Sequence, residues 1–427
     1  MSRTRTALAL FIVAFAVYFV PGRDGGTGDT IPAQLLPLSV LDEANLDFNE
    51  FVCPLDPPTG KPRDYEAGPC LSPLPYYFYV VDGRVVSTYP IVAGLLSVPA
   101  HEVLGAMGVD TVANRSLIAV STAALTTALA VLFLFLFLSL LPLEQRTAAL
   151  TTLVFAFGTL AWGVASHGLW QHGPALMFIT AALWCITRGD RRSIIFAGLA
   201  LGFAVFARPT NVMIALPLAW YVVSTHREQR VPFLAGLAFP LLLMALYSQV
   251  MLGSVTALGQ GQHMRFGANP LLGLAGILAS PGRGLFVFSP VLLVALPALR
   301  GSLHRDSSFP IARPLVIGAA GVIAVHALWF VWWGGVTFGY RLLIETLPAF
   351  MLLIAIAWET DVRGRRARVV AAGVLLAISV WVSALGALVA PCGFDMEPMP
   401  VDQHPERLWE VRDTELVRCT GRVFGAS

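Results

Sequence analysis

Long apolar runs separated by short basic loops dominate this chain. Apolar runs stand at residues 7–20, 113–141, 147–165, 173–187, 194–208, 211–225, 231–253, 285–299, 314–335, 342–359 and 369–390. A helix needs roughly 20 apolar residues to cross a bilayer. The mean hydropathy of +0.71, with 56% hydrophobic and 13% charged residues in 427, excludes a soluble globular protein. The pattern therefore predicts an all-α polytopic membrane protein with about 11 transmembrane helices.

The apolar run 89–107 is ambiguous because it contains Pro90, Pro99, His101 and Glu102. If this run lies along the outer surface and the N-terminus is inside, the loops with Arg146, Arg188, Arg227, Arg300 and Arg363 are cytoplasmic, as the positive-inside rule requires. If it spans, all of them face outward. We therefore expect an interfacial helix at 89–107. Since the run 194–225 lies between two basic loops, it must cross twice, with Arg208 to Asn211 as its outer turn.

The cysteines agree with this topology. Cys53 and Cys70 fall in the first outer loop, Cys392 and Cys419 in an outer C-terminal tail, and Cys185 in a span. Four cysteines on an oxidising face predict two disulfides, with 53–70 and 392–419 favoured among three pairings and free thiols as the alternative. The domains predicted are a transmembrane domain at 1–390 and an extracytoplasmic tail at 391–427.

The first outer loop, about 21–89, is the most polar part of the chain. It carries ten acidic residues, several tyrosines and many prolines. The spacing of apolar residues from Ile31 to Leu41 predicts a helix on the membrane surface. Asp29 would lie at the start of this helix, with Pro32 in its first turn. A carboxylate so close to a membrane surface is a candidate catalytic base.

Other polar residues on the outer face are candidates for lining a cleft. His167 and His172 follow the third span, but on a helix their rings would point roughly 140° apart, which favours a polar rim over a metal pair. The outer loop 254–284 contains His263, Arg265 and Arg283. Glycines on both sides of Arg283 suit either a phosphate site or a plain turn.

Two arginines stand beside apolar spans. Arg341 follows Tyr340 at the start of a span, and it either pairs with Glu345 four residues later or binds a lipid phosphate. Arg208 has the same choice between binding phosphate and extending to the interface. Both interpretations stay open for each residue. The net charge of +2 gives no reason to expect a nucleic-acid partner.

The order of these elements resembles the GT-C membrane glycosyltransferases, above all the branch with protein O-mannosyltransferases, lipid A aminoarabinose transferases and RgtA/B/C/D-like proteins. The resemblance covers about residues 1–225, with Trp332 to Arg341 as a further distinctive part. It is carried by one span before a long outer loop, Asp29 near the start of that loop, Tyr89-Pro90, Gly105, Asn114-Arg115 and the inner turn 141–146.

The resemblance implies a GT-C-like fold with interfacial helices in the first outer loop. It also implies a bacterial cytoplasmic-membrane enzyme whose active site faces the periplasm or exterior. Such an enzyme takes a sugar from a polyprenyl-phosphate donor and passes it to a cell-envelope glycan, lipid or protein. By the resemblance, Asp29 is the base, while Arg341, Arg283 and Arg208 are candidates for the donor phosphate. His167, His172, His263, Arg265 and Tyr340 are expected to line the substrate cleft.

The chain departs from the family in two places. The usual Asp-Glu pair is Asp29-Thr30 here, and histidines stand where relatives often have an acid after the third span. A divalent cation, Mg or Ca, is therefore an open cofactor. Two other functions remain open, a non-catalytic transporter or scaffold for lipid-linked sugars, and a glycan polymerase or ligase with a lipid-diphosphate donor. Spans nearly free of acids favour the enzyme over a transporter.

Overall fold

The structure, a computed structural model, describes residues 3–52, 73–257, 265–304 and 307–425. These residues form sixteen α-helices and one β-hairpin. The helices are α1 (Arg3–Phe19), α2 (Ile31–Leu38), α3 (Val92–Ala106), α4 (Arg115–Leu138), α5 (Gln145–Phe157), α6 (His172–Arg188), α7 (Arg191–Ala207), α8 (Val212–Thr225), α9 (Arg230–Leu252), α10 (Pro270–Ala279), α11 (Leu285–Phe288), α12 (Leu296–Ser302), α13 (Ala312–Ala327), α14 (Leu347–Ala357), α15 (Arg366–Leu388) and α16 (Glu415–Val423). The predicted residues Cys53, Cys70 and His263 lie outside the described residues.

The hairpin belongs to the first outer loop. Its strands β1 (Phe78–Val81) and β2 (Arg84–Ser87) pair antiparallel, with Val81 opposite Arg84. The two residues between them, Asp82 and Gly83, both have positive φ angles, 47° and 77°, as a two-residue hairpin turn requires. The hairpin brings Tyr76 and Tyr89, which flank it, into the same region.

Within the described ranges, four helical segments are long and apolar enough to cross a membrane. They are Arg115–Leu138, Arg227–Leu252, Arg341–Val362 and Arg366–Leu388. Together with the shorter apolar helices, they make this a multi-pass membrane protein. The count of eleven spans is not confirmed and stays a prediction.

Two predicted spans are interrupted. The run 285–299 is divided into α11, a 3-10 segment at Pro290–Ala295 and α12. Pro290 explains the first interruption, because proline disfavours helical geometry in the residue before it. The run 147–165 is α5 followed by a wide π turn at Ala161–Ala165. Hydrophobicity alone did not reveal these breaks.

The predicted turn within 194–225 is confirmed, while the two membrane crossings stay a prediction. Helix α7 ends at Ala207, a 3-10 turn covers Pro209–Asn211, and α8 begins at Val212. At the opposite end of the bundle, loops predicted to be cytoplasmic meet. Arg363 forms ion pairs with Glu144 and, at 2.7 Å, with Glu359.

Helix α2 of the predicted outer loop and helix α3, which follows that loop, pack against each other. Helix α2 ends three residues earlier than predicted, at Leu38, and a π turn continues to Glu43. Helix α3 lies within the predicted interfacial segment and packs against α2 and α4. A Cβ at Gly94 of α3 would lie 2.9 Å from Leu36 of α2, so this glycine permits the close contact. Whether α3 spans the membrane stays a prediction.

The C-terminal segment 391–425, called the tail below, is held by a disulfide. Cys392 and Cys419 are bonded, which confirms this predicted pair, and Cys185 is free and buried. The buried carboxylate of Glu415 accepts hydrogen bonds from the backbone N–H groups of Cys392 at 2.5 Å and Phe394 at 3.2 Å. The domain boundary at residue 390 stays a prediction.

Candidate active site

Asp29 lies in a 3-10 turn, Gly28–Thr30, immediately before α2. Its side chain is only 9% exposed, and its Oδ2 lies 2.7 Å from Nη2 of Arg341. The hydroxyl of Tyr76 donates to Oδ1 at 2.6 Å, and Tyr89 also hydrogen-bonds this carboxylate. A Cβ at Gly28 would lie 2.8 Å from the Tyr77 ring, so the turn can approach these aromatic residues only with glycine.

These contacts govern the ionisation of Asp29. Burial raises its pKa, but the charge of Arg341 and the hydrogen bonds from Tyr76, Tyr89 and Arg341 outweigh that effect. The net result is a pKa below the usual value for aspartate. Burial, followed by the nearby Asp29 charge, raises the pKa of Tyr76 and of Tyr89. Asp29 is therefore an ionised carboxylate surrounded by neutral tyrosines.

Arg341 is placed by the loop that ends at Tyr340. Its guanidinium lies 4.6 Å from the centre of the Trp170 ring, a cation–π contact. Because Arg341 pairs with Asp29, the i,i+4 pair with Glu345, one of the two interpretations left open by the sequence, is not formed. Arg341 Nε is buried and has no hydrogen-bond partner among the described residues. Since an arginine carries five N–H donors, Arg341 retains capacity for a second anion.

Arg208 occupies a second charged cluster. It forms an ion pair with Glu345, whose other oxygen accepts a hydrogen bond from Nδ1 of His172 at 2.8 Å. Nη2 of Arg208 donates to Nε2 of His326 at 3.1 Å. Arg208 is 4% exposed and Glu345 is 1% exposed, so Arg208 does not extend to the interface. The pairing satisfies two charges that would be costly to bury alone.

One small cavity joins the two clusters. It has a volume of about 60 Å³ and is lined by Asp29, His172, Arg208, Thr210, His326 and Arg341, together with aromatic side chains. Thr210 Oγ1 and Trp329 Nε1, which belong to lining residues, have no partners among the described residues. The cavity has room for a few water molecules and is too small for a sugar. With the histidines neutral, the two clusters, Asp29 with Arg341 and Glu345 with Arg208, together carry no net charge.

The other predicted site residues lie elsewhere. Tyr340 is 3% exposed, and its hydroxyl bonds Ser289 at 2.7 Å and the backbone N–H of Leu160 at 3.2 Å, so its contacts lie in the core. Arg265 is exposed. Burial and the charge of Arg23 lower the pKa of His167 to about 4.

Arg283 is among the most buried side chains, at 1% exposure. It forms an ion pair with Asp395 of the tail and does not line the cavity around Asp29. Arg283 is therefore a weaker candidate for binding the donor phosphate than Arg341 or Arg208, which both line the cavity. His172, Arg208 and Arg341 are the predicted residues that the fold brings together with Asp29.

Sequence reasoning did not select Tyr76, Tyr89 or His326 as site residues. Tyr76 was visible only as part of an aromatic loop, and Tyr89 only as part of that loop and of the Tyr89-Pro90 pair before the interfacial helix. His326 offered a clearer signal, because an isolated histidine in an apolar span marks a place where polar contacts are needed. Glu345 was considered only as a partner for Arg341.

Comparison with known proteins identifies the fold. No family model matches the sequence, and no curated protein matches it. The structure is similar to GT-C oligosaccharyltransferases of Archaeoglobus fulgidus. A complex of one with Zn and sulfate has a TM-score of 0.55 and 13% identity, covering 94% of this chain and 57% of that chain. AglB in complex with an inhibitory peptide and a dolichol-phosphate has a TM-score of 0.52 and 13% identity, covering 95% of this chain and 59% of that chain.

A third structure carries a tethered acceptor peptide with the NVT sequon, at a TM-score of 0.50 and 14% identity, and covers 95% of this chain and 59% of that chain. The chain thus spans less than two thirds of the length of these neighbours. At such low identity the likeness establishes the fold alone. This chain shares the fold of these oligosaccharyltransferases.

Two groups of residues are relevant to metal binding. One neighbour was solved with Zn, so Asp29 could be considered as a metal ligand. However, Arg341 already contacts one oxygen of the Asp29 carboxylate and Tyr76 contacts the other. No second carboxylate lines that cavity in the described part of the chain, so this donor set does not fit a divalent cation. Ligand-type atoms of Cys392, Glu415 and Cys419 also lie within 4.8 Å of one another. The two sulfurs form a disulfide and are not thiolate ligands.

Proposed function

We propose that this protein is a glycosyltransferase that moves a sugar from a polyprenyl-phosphate donor to a cell-envelope glycan, lipid or protein. The observation that supports this function most directly is the meeting of Asp29, Arg208 and Arg341 around one cavity. The three residues come from distant parts of the chain and share one end of the bundle. A carboxylate beside two cations is the combination that glycosyl transfer from a phosphate requires.

In the proposed reaction, the acceptor hydroxyl oxygen attacks the anomeric carbon of the donor sugar. The bond between that carbon and the phosphate oxygen breaks, and its electron pair leaves with the phosphate. Asp29 takes the proton from the acceptor hydroxyl. Arg341 and Arg208 stabilise the negative charge that develops on the leaving phosphate. Attack from the side opposite the phosphate inverts the anomeric configuration.

The contact between Arg341 and Asp29 implies that the donor binds before Asp29 accepts the proton. An ionised base held by a guanidinium and two phenols has few free lone pairs for a substrate proton. A donor phosphate that binds Arg341 competes with Asp29 for the same cation and weakens this contact. Donor binding therefore prepares Asp29 to accept the proton.

The membrane setting favours a lipid-linked donor on an oxidising outer face. Arg23, near the Asp29 turn, donates hydrogen bonds to the backbone oxygens of Leu388 at 2.7 Å and Ala390 at 3.1 Å. The start of the tail therefore lies at the same end of the bundle as Asp29. Because the tail contains a disulfide, this end suits the exterior of a bacterial cytoplasmic membrane. Among fold neighbours, one was solved with a dolichol-phosphate and another with an acceptor peptide, which supports a lipid-phosphate donor.

The function is tested by Asp29→Asn, which keeps the shape and removes the base. Cells that carry this variant should lose one envelope glycan product by mass spectrometry, at unchanged levels of membrane-inserted protein. Asp42→Asn is a matched control, because Asp42 is an exposed acid of the same outer loop. A wild-type glycan profile in Asp29→Asn cells would refute the catalytic role.

A further inference from the structure

We propose that Asp395 of the tail, acting with Arg283, is a positioning residue that holds Arg341 in the donor-phosphate site. This inference rests on the proposed function, because it assigns a role to the tail in that same site. Trp332–Tyr340, called the approach loop below, connects α13 to Arg341 and lies between the tail and the active-site cavity. The contacts on its two sides carry the inference.

On the tail side, Arg283 joins the tail to the approach loop. Its guanidinium forms an ion pair with Asp395, and its Nη2 also donates to the backbone oxygen of Gly335 at 3.2 Å. Its Nη1 donates to the backbone oxygen of Gly282 at 2.9 Å. One buried side chain thus fixes the tail, the turn before α11 and the approach loop relative to one another.

Asp395 binds the approach loop directly as well. Its Oδ2 accepts a hydrogen bond from the backbone N–H of Thr337 at 3.0 Å, while its Oδ1 is paired with Arg283. The carboxylate is 8% exposed, so water competes weakly for these bonds. Asp395 therefore holds the segment 335–337 at both ends, once through Arg283 and once through its own oxygen.

On the cavity side, the same segment contacts Arg341. Gly334 and Gly335 adopt positive φ angles of 81° and 71°, a left-handed conformation that favours glycine. A Cβ at Gly335 would lie 3.8 Å from Nη2 of Arg341, and one at Gly334 would lie 3.4 Å from its Nε. The backbone that Asp395 fixes is thus the wall against which the Arg341 guanidinium packs. A shift of this wall changes where Arg341 points.

Two further contacts show that the tail is docked on the approach loop over a broad area. Nε1 of Trp333 donates to Asp402 at 2.7 Å, and the rings of Trp332 and Trp409 lie 6.2 Å apart. The tail closes on itself through Cys392 and Cys419. The buried pair of Arg283 with Asp395 lies between this docked tail and the active-site cavity.

The test compares Asp395→Asn with Glu406→Gln, the same loss of charge at an acid of the tail whose side chain is 68% exposed. The probe is undecaprenyl phosphate bound to the full-length protein in detergent, with affinity measured by native mass spectrometry. Undecaprenol, which lacks the phosphate, serves as the second ligand. We expect about tenfold weaker binding of the phosphate in Asp395→Asn, the size of one lost charge-assisted hydrogen bond, with undecaprenol binding unchanged. Glu406→Gln should match the wild type for both ligands.

Hydrogen–deuterium exchange of peptides that cover the approach loop supplies an independent measure. We expect faster exchange there in Asp395→Asn and not in Glu406→Gln. Arg283→Lys is the milder variant, because it keeps a charge beside Asp395 but lacks the planar fork that also reaches Gly335. It should show the same phosphate-specific loss. In a double-mutant cycle, Asp395→Asn should add nothing further to Arg341→Ala for phosphate binding.

The outcomes separate the two proposals. If Arg341→Ala weakens phosphate binding while Asp395→Asn and Arg283→Lys do not, the positioning role is wrong and the proposed donor site stands. If Asp395→Asn weakens both ligands equally, the tail is only structural and the inference is overturned. If Arg341→Ala leaves phosphate binding intact, the donor site is wrong, and the role inferred for Asp395 fails with it even if exchange in the approach loop becomes faster.

Discussion

Removing the guanidinium of Arg341 should affect donor binding and the base at the same time. In the structure Arg341 contacts Asp29 at 2.7 Å, stacks on Trp170 and retains an unpartnered Nε among the described contacts. Arg341→Ala therefore deletes the proposed phosphate ligand. It also leaves Asp29 buried with only its tyrosine partners. The two effects have different experimental signatures.

The expected loss of donor affinity follows from the kind of contact. Hydrogen bonds between charged groups contribute about 1.5–3 kcal/mol, which corresponds to roughly ten- to a hundredfold in affinity. The effect on the base has a definite sign. In the wild type, Arg341 holds the Asp29 pKa below its usual value, against the effect of burial. Without Arg341, burial dominates and the pKa of Asp29 rises.

Both effects are measurable in one set of experiments. Affinity for undecaprenyl phosphate should fall by the amount given above. Because the base acts when ionised, kcat/KM falls as the pH drops through the Asp29 pKa. This acid limb should therefore move to higher pH in Arg341→Ala. Arg341→Lys keeps a charge but loses the planar fork, so it should be intermediate in both measurements.

The acid limb provides the sharpest refutation. If Arg341→Ala weakens donor binding but leaves the acid limb where it is in the wild type, Asp29 is not the base that Arg341 controls. If the limb moves while lipid-phosphate affinity is unchanged, Arg341 serves only as the partner of Asp29. Wild-type values for both would contradict the geometry on which the proposed function rests.

Three more predictions follow from the same contacts. Glu345→Gln leaves the buried Arg208 without its counter-charge and should lower the free energy of unfolding by about 3–5 kcal/mol, seen as a lower melting temperature in detergent. Tyr76→Phe removes one hydrogen bond to Asp29, so it should move the acid limb of kcat/KM to higher pH by less than Arg341→Ala does. A chelator such as EDTA should leave initial rates unchanged, because a guanidinium occupies the Asp29 oxygen that a divalent cation would need.

Each of these three has a control and a contrary result. Glu406→Gln, an exposed acid, should change stability little, and an equal loss in both variants would contradict the buried-pair argument. Tyr77→Phe changes a neighbouring tyrosine with no hydrogen bond to Asp29 among the described contacts, and it should leave the pH profile unchanged. Inhibition by EDTA that added Mg or Ca reverses would restore the predicted divalent cation and overturn the donor-set argument.

Much of the architecture could be predicted from the sequence because membrane solvation constrains the chain strongly. Helical spans must satisfy their own backbone hydrogen bonds in lipid, so apolar length located the helices on either side of the turn in 194–225 and the long helices α4, α9 and α15. The basic loops predicted which ends of these helices face the cytoplasm. The breaks at Pro290 and at Ala161–Ala165 were missed, since hydropathy does not report local backbone geometry.

The candidate site was predicted in part. Asp29, Arg208 and Arg341 were selected because a charged side chain beside an apolar span is costly and often marks a functional site. Their partners could not be selected in the same way. From the sequence, Glu345 was a possible partner for Arg341, which is four residues away. In the structure, Glu345 instead pairs with Arg208 and His172. Arg341 pairs with Asp29. Local spacing favours near neighbours, but packing decides which charges share a buried space.

By itself, the sequence determined a polytopic helical membrane protein and the disulfide of the tail, and it predicted the side on which the acidic loop lies. Hydrophobicity and charge can be summed along the chain, and the compartment that they imply favours disulfides. Only the tertiary structure decided that Asp29 is held by Arg341, Tyr76 and Tyr89, and that Arg283 belongs to Asp395. Such contacts join residues more than forty positions apart, and burial makes each depend on the exact geometry of its neighbours.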